Sequence, residues 1–383
     1  MKKQSALIAV MGLISVAAAF ALTIAYNSAA RKTPDFVFPD PSPAPANTAE
    51  AESSVPLSTE SPAETSAPTR ETEETEETFT SIITSNNPTN FLDIRFEGFD
   101  IIIEGVSADR SVISACLFSN GKKEEAAYDG DNYRIVLSSR KKAAGYDSLY
   151  IYTDNDTILN YRVYASPNGF EPIDTADIAE RNLYLAETPL ALPLEGVLQY
   201  ITPDGDAEKA REVMAQAEEI SDRICEGITE DYDKALAISK WIAENIYYDF
   251  DARDNSVTTE TISLSHVLET HRTVCGGFSN IFCALCAAQG ITAYNIQGEA
   301  INDVLDSFAE SGRGNRHEWN YAVIDGRGIW VDACWDTYNF YIDGVYVSDK
   351  TRVKYFDITN TVLSYDHRAR ICQSRDYYAA LEE

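Results

Sequence analysis

The chain is poor in basic residues and in histidine. Its 383 residues include 31 Lys and Arg against 61 Asp and Glu, which gives a formal net charge of −30. No basic stripe is available to neutralise phosphates, so the composition argues against nucleic-acid binding and against adhesion to anionic lipid. Three of the four histidines (His266, His271 and His367) stand in no motif. We therefore expect no metal and no cofactor.

Cysteine patterns that would indicate an anchor or a metal site are also missing. No cysteine follows the N-terminal apolar run, so a lipoprotein anchor is not expected. The Cys283–Cys286 pair has a zinc or redox spacing, but it lies in an apolar helical stretch without further ligands, which favours buried side chains. If Cys275 is a free thiol, the other six cysteines permit up to three disulfides in an exported protein.

Proline is scarce except in one segment, and this segment defines the N-terminal organisation. Residues 1–30 combine a basic start with an apolar run, so they predict either a cleaved signal peptide or a membrane anchor. Residues 31–90 contain nine of the 14 prolines together with Ser, Thr and Glu, which predicts a disordered linker. Either reading of residues 1–30 predicts an extracytoplasmic protein, secreted or anchored by its N-terminal segment.

The remaining chain divides into two parts of different character. Residues 91–167 contain about five short runs rich in Ile, Val, Tyr and Phe, separated by turn residues, which predicts a small β-sandwich-like domain. From residue 168 to residue 383 helical periodicity alternates with strand-like runs, and this part is predicted to be the catalytic domain.

A cysteine begins an apolar helical stretch in the last third of the chain. Cys275 and two glycines precede the run Phe278–Ala288, and Gly290 follows where a helix end favours a left-handed residue. The helix is therefore predicted to start close to Cys275. Its dipole would then favour the thiolate, and the amides of Gly276 and Gly277 could form part of an oxyanion hole.

A histidine and an aspartate lie on the two strands of a predicted hairpin. Asp325–Gly328 joins the two apolar-aromatic runs, through a loop of either two or four residues. Either length puts His317, Asp332 and Cys334 on one face. With the two-residue loop, His317 would pair with Cys334 and lie diagonal to Asp332, near enough for imidazole and carboxylate to meet.

These three side-chain types in this order supply the parts of a cysteine nucleophile site. A thiol needs a base to form its thiolate, and the imidazole needs a third group to fix its orientation. Cys275, His317 and Asp332 are therefore the predicted catalytic residues.

The segment from Asp231 to Asp336 resembles the transglutaminase-like superfamily of cysteine enzymes. The matching pieces are Cys275–Phe278, His317–Val323 and Trp330–Asp336. The resemblance implies an α+β, papain-like core in which the cysteine-bearing helix packs on an antiparallel sheet. It also implies that Cys275 is the nucleophile, His317 the general base and acid, and Asp332 the orienting carboxylate. Cys334 stands where the family commonly has threonine, so redox sensitivity of the site is a further hypothesis.

The predicted function is acyl transfer on protein or peptide amides through a cysteine thioester. An amine acceptor would give cross-linking and water would give hydrolysis, and the sequence does not choose between them. The expected partner is a protein or peptide substrate, which an exported enzyme would meet at the cell surface or wall. Contact with a membrane is expected only through the N-terminal segment. The alternative is a non-catalytic surface protein that uses the same fold as a scaffold for binding.

Overall fold

The computed structural model describes residues 80–87, 92–139, 144–154, 158–301 and 314–382. The predicted signal peptide or anchor at residues 1–30 and most of the predicted linker lie outside these residues. Within the described part, no helix combines the length and the apolar character that crossing a membrane requires. Mixed helices and antiparallel sheets confirm the α+β class.

Two five-stranded antiparallel sheets form the N-terminal sandwich. The first has the order β1-β2-β3-β7-β6 and the second the order β10-β9-β8-β4-β5. Their strands are β1 (Thr80–Ile83), β2 (Leu92–Glu97), β3 (Asp100–Val106), β4 (Val112–Leu117), β5 (Glu124–Glu125), β6 (Ala127–Asp129), β7 (Asn132–Ser138), β8 (Gly145–Thr153), β9 (Ile158–Ser166) and β10 (Gly169–Glu171).

Strict alternation along β7 shows how a strand of this sandwich contributes to a two-layered core. Along β7 the odd-numbered positions Tyr133, Ile135 and Leu137 are buried, whereas the residues between them are exposed. Successive strand side chains point to opposite faces, so one face of β7 packs into the core and the other meets solvent. The five predicted runs coincide with β3, β4, β7, β8 and β9. The five strands not predicted include the two- and three-residue strands β5 and β6, which are too short for alternation to identify.

The sheets extend beyond residues 91–167 at both ends. Strand β1 lies inside the stretch assigned to the linker, and β10 follows the predicted boundary. The residues after β1 contact the second half of the chain: Ser85 Oγ donates to the Asp357 carbonyl at 3.0 Å, and the Thr359 amide donates to the Thr84 carbonyl at 3.0 Å. Composition classed this segment as linker because its flanking residues are polar, and those distant partners are not visible in the sequence.

The second half of the chain carries the helices and two further sheets. Its helices are α1 (Ala176–Glu187), α2 (Leu194–Ile201), α3 (Ala207–Ile224), α4 (Asp231–Asn245), α5 (Phe250–Asn255), α6 (Thr259–Ile262), α7 (Leu264–Thr270), α8 (Cys275–Ala288), α9 (Ala333–Asp336), α10 (Asn360–Leu363) and α11 (Tyr377–Glu382). Its strands are β11 (Leu190–Ala191), β12 (Tyr247–Asp249), β13 (Arg272–Thr273), β14 (Thr292–Ala300), β15 (Asn315–Ile324), β16 (Arg327–Val331), β17 (Phe340–Ile342), β18 (Val345–Val347), β19 (Phe356–Ile358) and β20 (His367–Ser374).

A six-stranded sheet, of order β11-β20-β14-β15-β16-β19, supports the central helix α8. Helix α8 is apolar on almost every side, with Phe278, Phe282 and Leu285 at 1% exposure or less. It packs on β14 and β15 and contacts α3, α4 and α7. Burying a large apolar side chain contributes roughly 1.5–3 kcal/mol, so this helix is held firmly against the sheet.

The loop that joins β15 and β16 is a two-residue turn. Asp325 and Gly326 both have positive φ, at 52° and 77°, between the paired residues Ile324 and Arg327. Positive φ at both central positions is the requirement of the type I′ hairpin turn, which Asp-Gly satisfies. This is the shorter of the two loop lengths that the sequence allowed.

Candidate active site

Cys275 is the first residue of helix α8, as predicted. Val274 precedes it with extended backbone, and at the other end Gly290 adopts a φ of 73° after the C-cap residue. The thiol is half-buried and opens onto a cleft. A side chain at this position lies at the positive end of the helix dipole, which stabilises an anion.

The two glycines after Cys275 differ in what they do. The Gly277 amide donates to the Val274 carbonyl at 2.9 Å, and a Cβ on this residue would overlap the Thr273 side chain. Gly277 therefore permits close packing, and its amide is already used inside the molecule. The amides of Cys275 and Gly276 belong to the first turn, where helix geometry supplies no intrahelical acceptor. They are the better candidates for oxyanion donors.

His317 and Asp332 meet directly. His317 Nε2 lies 2.6 Å from Asp332 Oδ2, and both side chains are buried, at 7% and 1% exposure. The other carboxylate oxygen, Asp332 Oδ1, accepts the Trp335 amide at 2.9 Å and so caps helix α9. Because Nε2 faces the carboxylate, Nδ1 is the ring nitrogen left for the interaction of His317 with Cys275.

The contact arises from a different geometry than the predicted strand pair. The β15–β16 ladder ends at the pair Asn320 and Val331, so Asp332 is the N-cap of α9 and no longer a strand residue. His317 pairs with Gly298 of β14, and Cys334 lies in the first turn of α9. The predicted pairing of His317 with Cys334 is therefore wrong. The two side chains of interest meet because the chain turns into a helix immediately after β16.

Burial and charge act in opposite directions on this pair. Burial alone would lower the pKa of His317, but the carboxylate of Asp332, assisted by the Cys275 thiol, outweighs it and raises that pKa to about 10. Burial would likewise raise the pKa of Asp332, yet its two histidine contacts hold it below the usual range. Each charged form is thus stabilised by a hydrogen-bonded partner of opposite sign.

The other six cysteines are less suited to act as nucleophiles. All seven cysteines are free thiols in the structure, and six of them are buried. Burial raises the pKa of Cys283 to about 12, and it raises the pKa values of Cys286 and Cys334 well above the ordinary thiol value. Cys334 nevertheless lines the same cleft as Cys275 and His317. Redox sensitivity of this neighbourhood stays a prediction.

A buried polar cluster fixes α8 against the histidine strand. Asn320 Nδ2 donates to the Ser279 carbonyl at 3.0 Å and lies 2.9 Å from Ser279 Oγ. Ser279 Oγ donates to the Trp319 carbonyl at 3.1 Å. Since Ser279 is one turn after Cys275 and Asn320 is three residues after His317, these bonds set how the two elements sit together. Buried bonds of this kind contribute about 1 kcal/mol each, and more is lost when one partner is removed.

The cleft above the thiol has a volume of about 1210 Å³. Aromatic residues line one part of it, including Tyr248, Phe250 and Trp335, and charged residues line another, including Glu318 and Arg316. The lining of the cleft is therefore mixed in character, both apolar and charged.

A second histidine joins the site, and the sequence interpretation missed it. His367, on β20, lies with Nε2 3.1 Å from the same Asp332 Oδ2 that contacts His317. It is fully buried, and its ring packs 4.4 Å from that of Trp335. No local motif surrounds His367. Only the order of β20, β14, β15 and β16 in the sheet brings it to Asp332, so no short-range signal could have identified it.

The nitrogen and oxygen atoms of His317, Asp332 and His367 lie within 4.8 Å of one another, a spacing that a metal ion could use. In the structure these atoms hydrogen-bond to each other: Asp332 Oδ2 faces both Nε2 atoms. A metal would have to replace both bonds and occupy the proposed base. The donor set is therefore better described as a hydrogen-bonded unit.

A thiol at a helix N-terminus, beside a histidine held by a buried carboxylate on a neighbouring sheet, defines the class of papain-like cysteine sites. The family model for the transglutaminase-like superfamily matches residues 218–333, a range that includes Cys275, His317 and Asp332. This segment is therefore similar to the transglutaminase-like superfamily, over about a third of the chain.

Named relatives match over part of the chain. Kyphoscoliosis peptidase of Mus musculus is 25% identical over 105 residues, and that of Homo sapiens is 26% identical over 116 residues. The matches cover 27% and 30% of this chain but 16% and 17% of the relatives. The matched segment thus spans less than a fifth of the length of these relatives.

Among solved structures, a candidate cysteine protease from Cytophaga hutchinsonii is 19% identical, with a TM-score of 0.27, and covers 63% of this chain and 74% of its own. A transglutaminase structure is also 19% identical, with a TM-score of 0.26, and covers 32% of this chain and 31% of its own.

Proposed function

We propose that this protein is a cysteine enzyme that transfers acyl groups from protein or peptide amides. The observation that carries the proposal is the pairing of His317 with Asp332 at 2.6 Å beside Cys275 at the start of α8. Cys275 is the nucleophile, His317 the general base and acid, and Asp332 the group that orients the imidazole.

The proposed reaction proceeds in two steps. The Cys275 thiolate attacks the amide carbonyl, and the oxyanion is bound by the first-turn amides of α8. The C–N bond breaks as His317 gives its proton to the departing amine, leaving a thioester on Cys275. Water or a second amine then attacks the thioester, and His317 takes the proton of that nucleophile. The thiolate is restored in either case, so the acceptor alone separates hydrolysis from cross-linking.

Location and partners belong to the same proposal. We infer from the N-terminal sequence that the folded part acts outside the cytoplasm, on protein or peptide substrates at a cell surface or wall. The support is compositional: a basic start, an apolar run and a proline-rich segment precede Thr80. A protease-protection assay on cells that express the full chain tests this placement, and degradation only after lysis would contradict it.

The test of activity uses a library of glutamine-containing peptides together with a labelled primary amine. Wild type is expected to incorporate the amine or to release a peptide fragment or ammonia, and Cys275→Ala should abolish every product. Cys286→Ala is the matched control, because it removes a buried thiol from the same helix and should leave turnover in place. Product formation by Cys275→Ala would contradict the proposal.

The reactivity of the Cys275 thiol distinguishes the catalytic proposal from the non-catalytic alternative. If the site is catalytic, iodoacetamide should alkylate Cys275 faster at neutral pH than it alkylates an ordinary exposed thiol, and His317→Ala should slow that rate. A scaffold protein would show an ordinary rate that His317→Ala leaves unchanged.

A further inference from the structure

His367 lies between two carboxylates. Its Nε2 is 3.1 Å from Asp332 Oδ2, and its Nδ1 is 2.6 Å from Asp366 Oδ1. His367 is 0% exposed and Asp366 is 6% exposed. Asp366 is held in turn by Tyr355, whose hydroxyl donates to Asp366 Oδ2 at 3.0 Å.

The two contacts of His367 need more protons than a neutral imidazole can supply. A neutral ring has one N–H, and an ionised carboxylate only accepts. Two nitrogen–oxygen contacts therefore need two protons, of which one neutral ring provides one. The second must lie on the ring, as imidazolium, or on one of the carboxyl groups. In both cases the unit of Asp332, His367 and Asp366 has a net charge of −1 and not −2.

Both carboxyl groups favour the ionised form. Burial would raise the pKa of Asp366, but His367, followed by Lys354 and Arg162, outweighs burial and lowers it. The pKa of Asp332 is lowered in the same way by its two histidines. These shifts depend on the proton that His367 shares with the two carboxylates, and with that proton the unit of Asp332, His367 and Asp366 keeps its net charge of −1.

We propose that His367 is a positioning residue of the active site: bonded to Asp366 on one side and to Asp332 on the other, it fixes the Asp332 carboxylate and sets the charge that acts on Cys275 and His317. The inference rests on the proposed function, because it concerns how that same thiol and imidazole ionise. His367 does not line the cleft, and its hydrogen bond to the site is the one to Asp332.

Several ionisable groups from neighbouring elements share this interior. His317 lies with its ring 5.4 Å from that of His367, and Tyr355 lies 5.5 Å away. The remaining groups act on Asp332, Asp366 or Tyr355, and they are Lys354, Arg162, Arg352 and Asp336. None of these is changed by a substitution at His367, so a neutral replacement alters the site by one positive charge.

Replacing His367 by a neutral residue should shift the ionisation of Cys275 and His317 in one direction. Glutamine at position 367 can still donate one N–H to Asp332, but it is neutral, so the net charge of the unit becomes −2. The added negative charge disfavours the Cys275 thiolate and favours the His317 imidazolium. Both ionisations therefore move to higher pH. By Coulomb's law, the loss of one unit charge near the thiol and the imidazole predicts a shift of about one pH unit.

The test measures iodoacetamide alkylation of Cys275 against pH in the full chain, read by mass spectrometry of the Cys275 peptide. His367→Gln should move the midpoint of the alkylation curve up by about one pH unit. His266→Gln is the matched control, since His266 is half-buried and its charged neighbours are Arg272, Glu260, Asp249 and Glu269. Its curve should superimpose on that of wild type. An unshifted curve for His367→Gln would overturn the inference.

Two further observations distinguish a failure of this inference from a failure of the proposed function. If wild-type Cys275 ionises as an ordinary thiol and Asp332→Asn changes nothing, the proposed function fails. If Cys275 ionises at low pH and only His367→Gln is silent, this inference alone fails. Should His367→Gln not fold, nitrogen-15 histidine NMR of the wild-type chain replaces it. Both ring nitrogens of His367 should show hydrogen bonds; a ring nitrogen without one overturns the inference.

Discussion

The sandwich and the helical second half of the chain fill their interiors in opposite ways. Among the described residues, the sandwich strands bury two charged side chains, Asp147 and Arg162. The second half buries many more, and these include Asp249, His317, Asp332, Asp336, Lys354, Asp357, Asp366, His367 and Arg375. Buried charge is costly unless it is paired, so it accumulates where the chain has a use for it.

The energetic cost of burying charge shows in the pKa values of the groups whose charge is least well paired. Burial raises the pKa of Asp336 to about 7, against the attraction of Arg352, and burial lowers the pKa of Lys354 to about 7. The sandwich, by contrast, is stabilised by apolar strand pairs such as Ile103 opposite Ile135. The comparison indicates that the interior of the sandwich is mainly apolar, whereas the second half concentrates buried charge around its candidate site.

The largest effect is expected from replacing a buried carboxylate in the second half, compared with the same replacement in the sandwich. Asp332→Asn should reduce acyl transfer by about 10³–10⁴-fold, because the amide cannot hold His317 in the required protonation state. Asp147→Asn is the matched change in the sandwich, where Asp147 accepts the Ser119 hydroxyl at 2.7 Å. It should lower the melting temperature and leave turnover unchanged. Equal loss of turnover in both variants would remove the distinction.

Core truncation should affect stability in both halves but reactivity in only one. Leu149, in β8, and Leu285, in α8, are each 0% exposed. Replacing either by alanine should lower the free energy of unfolding by roughly 2–5 kcal/mol, measured by urea denaturation. Only Leu285→Ala should also slow alkylation of Cys275, since it loosens the helix that carries the thiol. A reactivity change in Leu149→Ala would show that the halves are coupled more tightly than their cores indicate.

The pH dependence of stability should show the charged interior directly. The pKa of His317 is raised from 6.5 to about 10 in the folded protein, so its protonated form stabilises the fold below pH 6.5 and this contribution is lost as the pH rises through about 10. The difference in unfolding free energy between wild type and His317→Gln should therefore shrink by roughly 2–4 kcal/mol from about pH 7 to about pH 10.5.

His266→Gln provides the control for that measurement. Burial lowers the pKa of His266, so its titration affects stability only at and below its ordinary range. The corresponding difference should stay flat above about pH 7. A flat difference for His317→Gln as well would contradict the ion pair.

The smallest expected effect lies where the two halves meet. Ser85→Ala removes the bond to the Asp357 carbonyl and the bond from the Asn87 amide, both at 3.0 Å. The loss should be about 1–2 kcal/mol in unfolding free energy, with no change at Cys275. Ser138→Ala, on the exposed face of β7, should cost less than about 0.5 kcal/mol. Equal losses would mean that the contact at Ser85 adds nothing.

Local patterns predicted the parts of the fold that local chemistry decides. The start of α8 at Cys275, its end at Gly290 and the Asp325-Gly326 turn follow from helix capping and turn geometry, which act over a few residues. The meeting of His317 with Asp332 was predicted for a partly wrong reason, since Asp332 caps a helix. His367 and strand β1 were missed because each depends on partners far away in the sequence.

The contact between β1 and the distant edge strand β19 also has a mechanical meaning. The Thr84 carbonyl, Ser85 Oγ and the Asn86 amide bond to Thr359 and Asp357, and the Thr359 hydroxyl bonds to the Ile83 carbonyl. Tension applied to the chain before Thr80 would pass through β1 to these bonds. Strand β19 is adjacent to β16, and the Asp332 amide bonds to the Tyr355 carbonyl just before β19. A pulling force on the N-terminal segment would thus reach the strand pair next to the carboxylate of the candidate site.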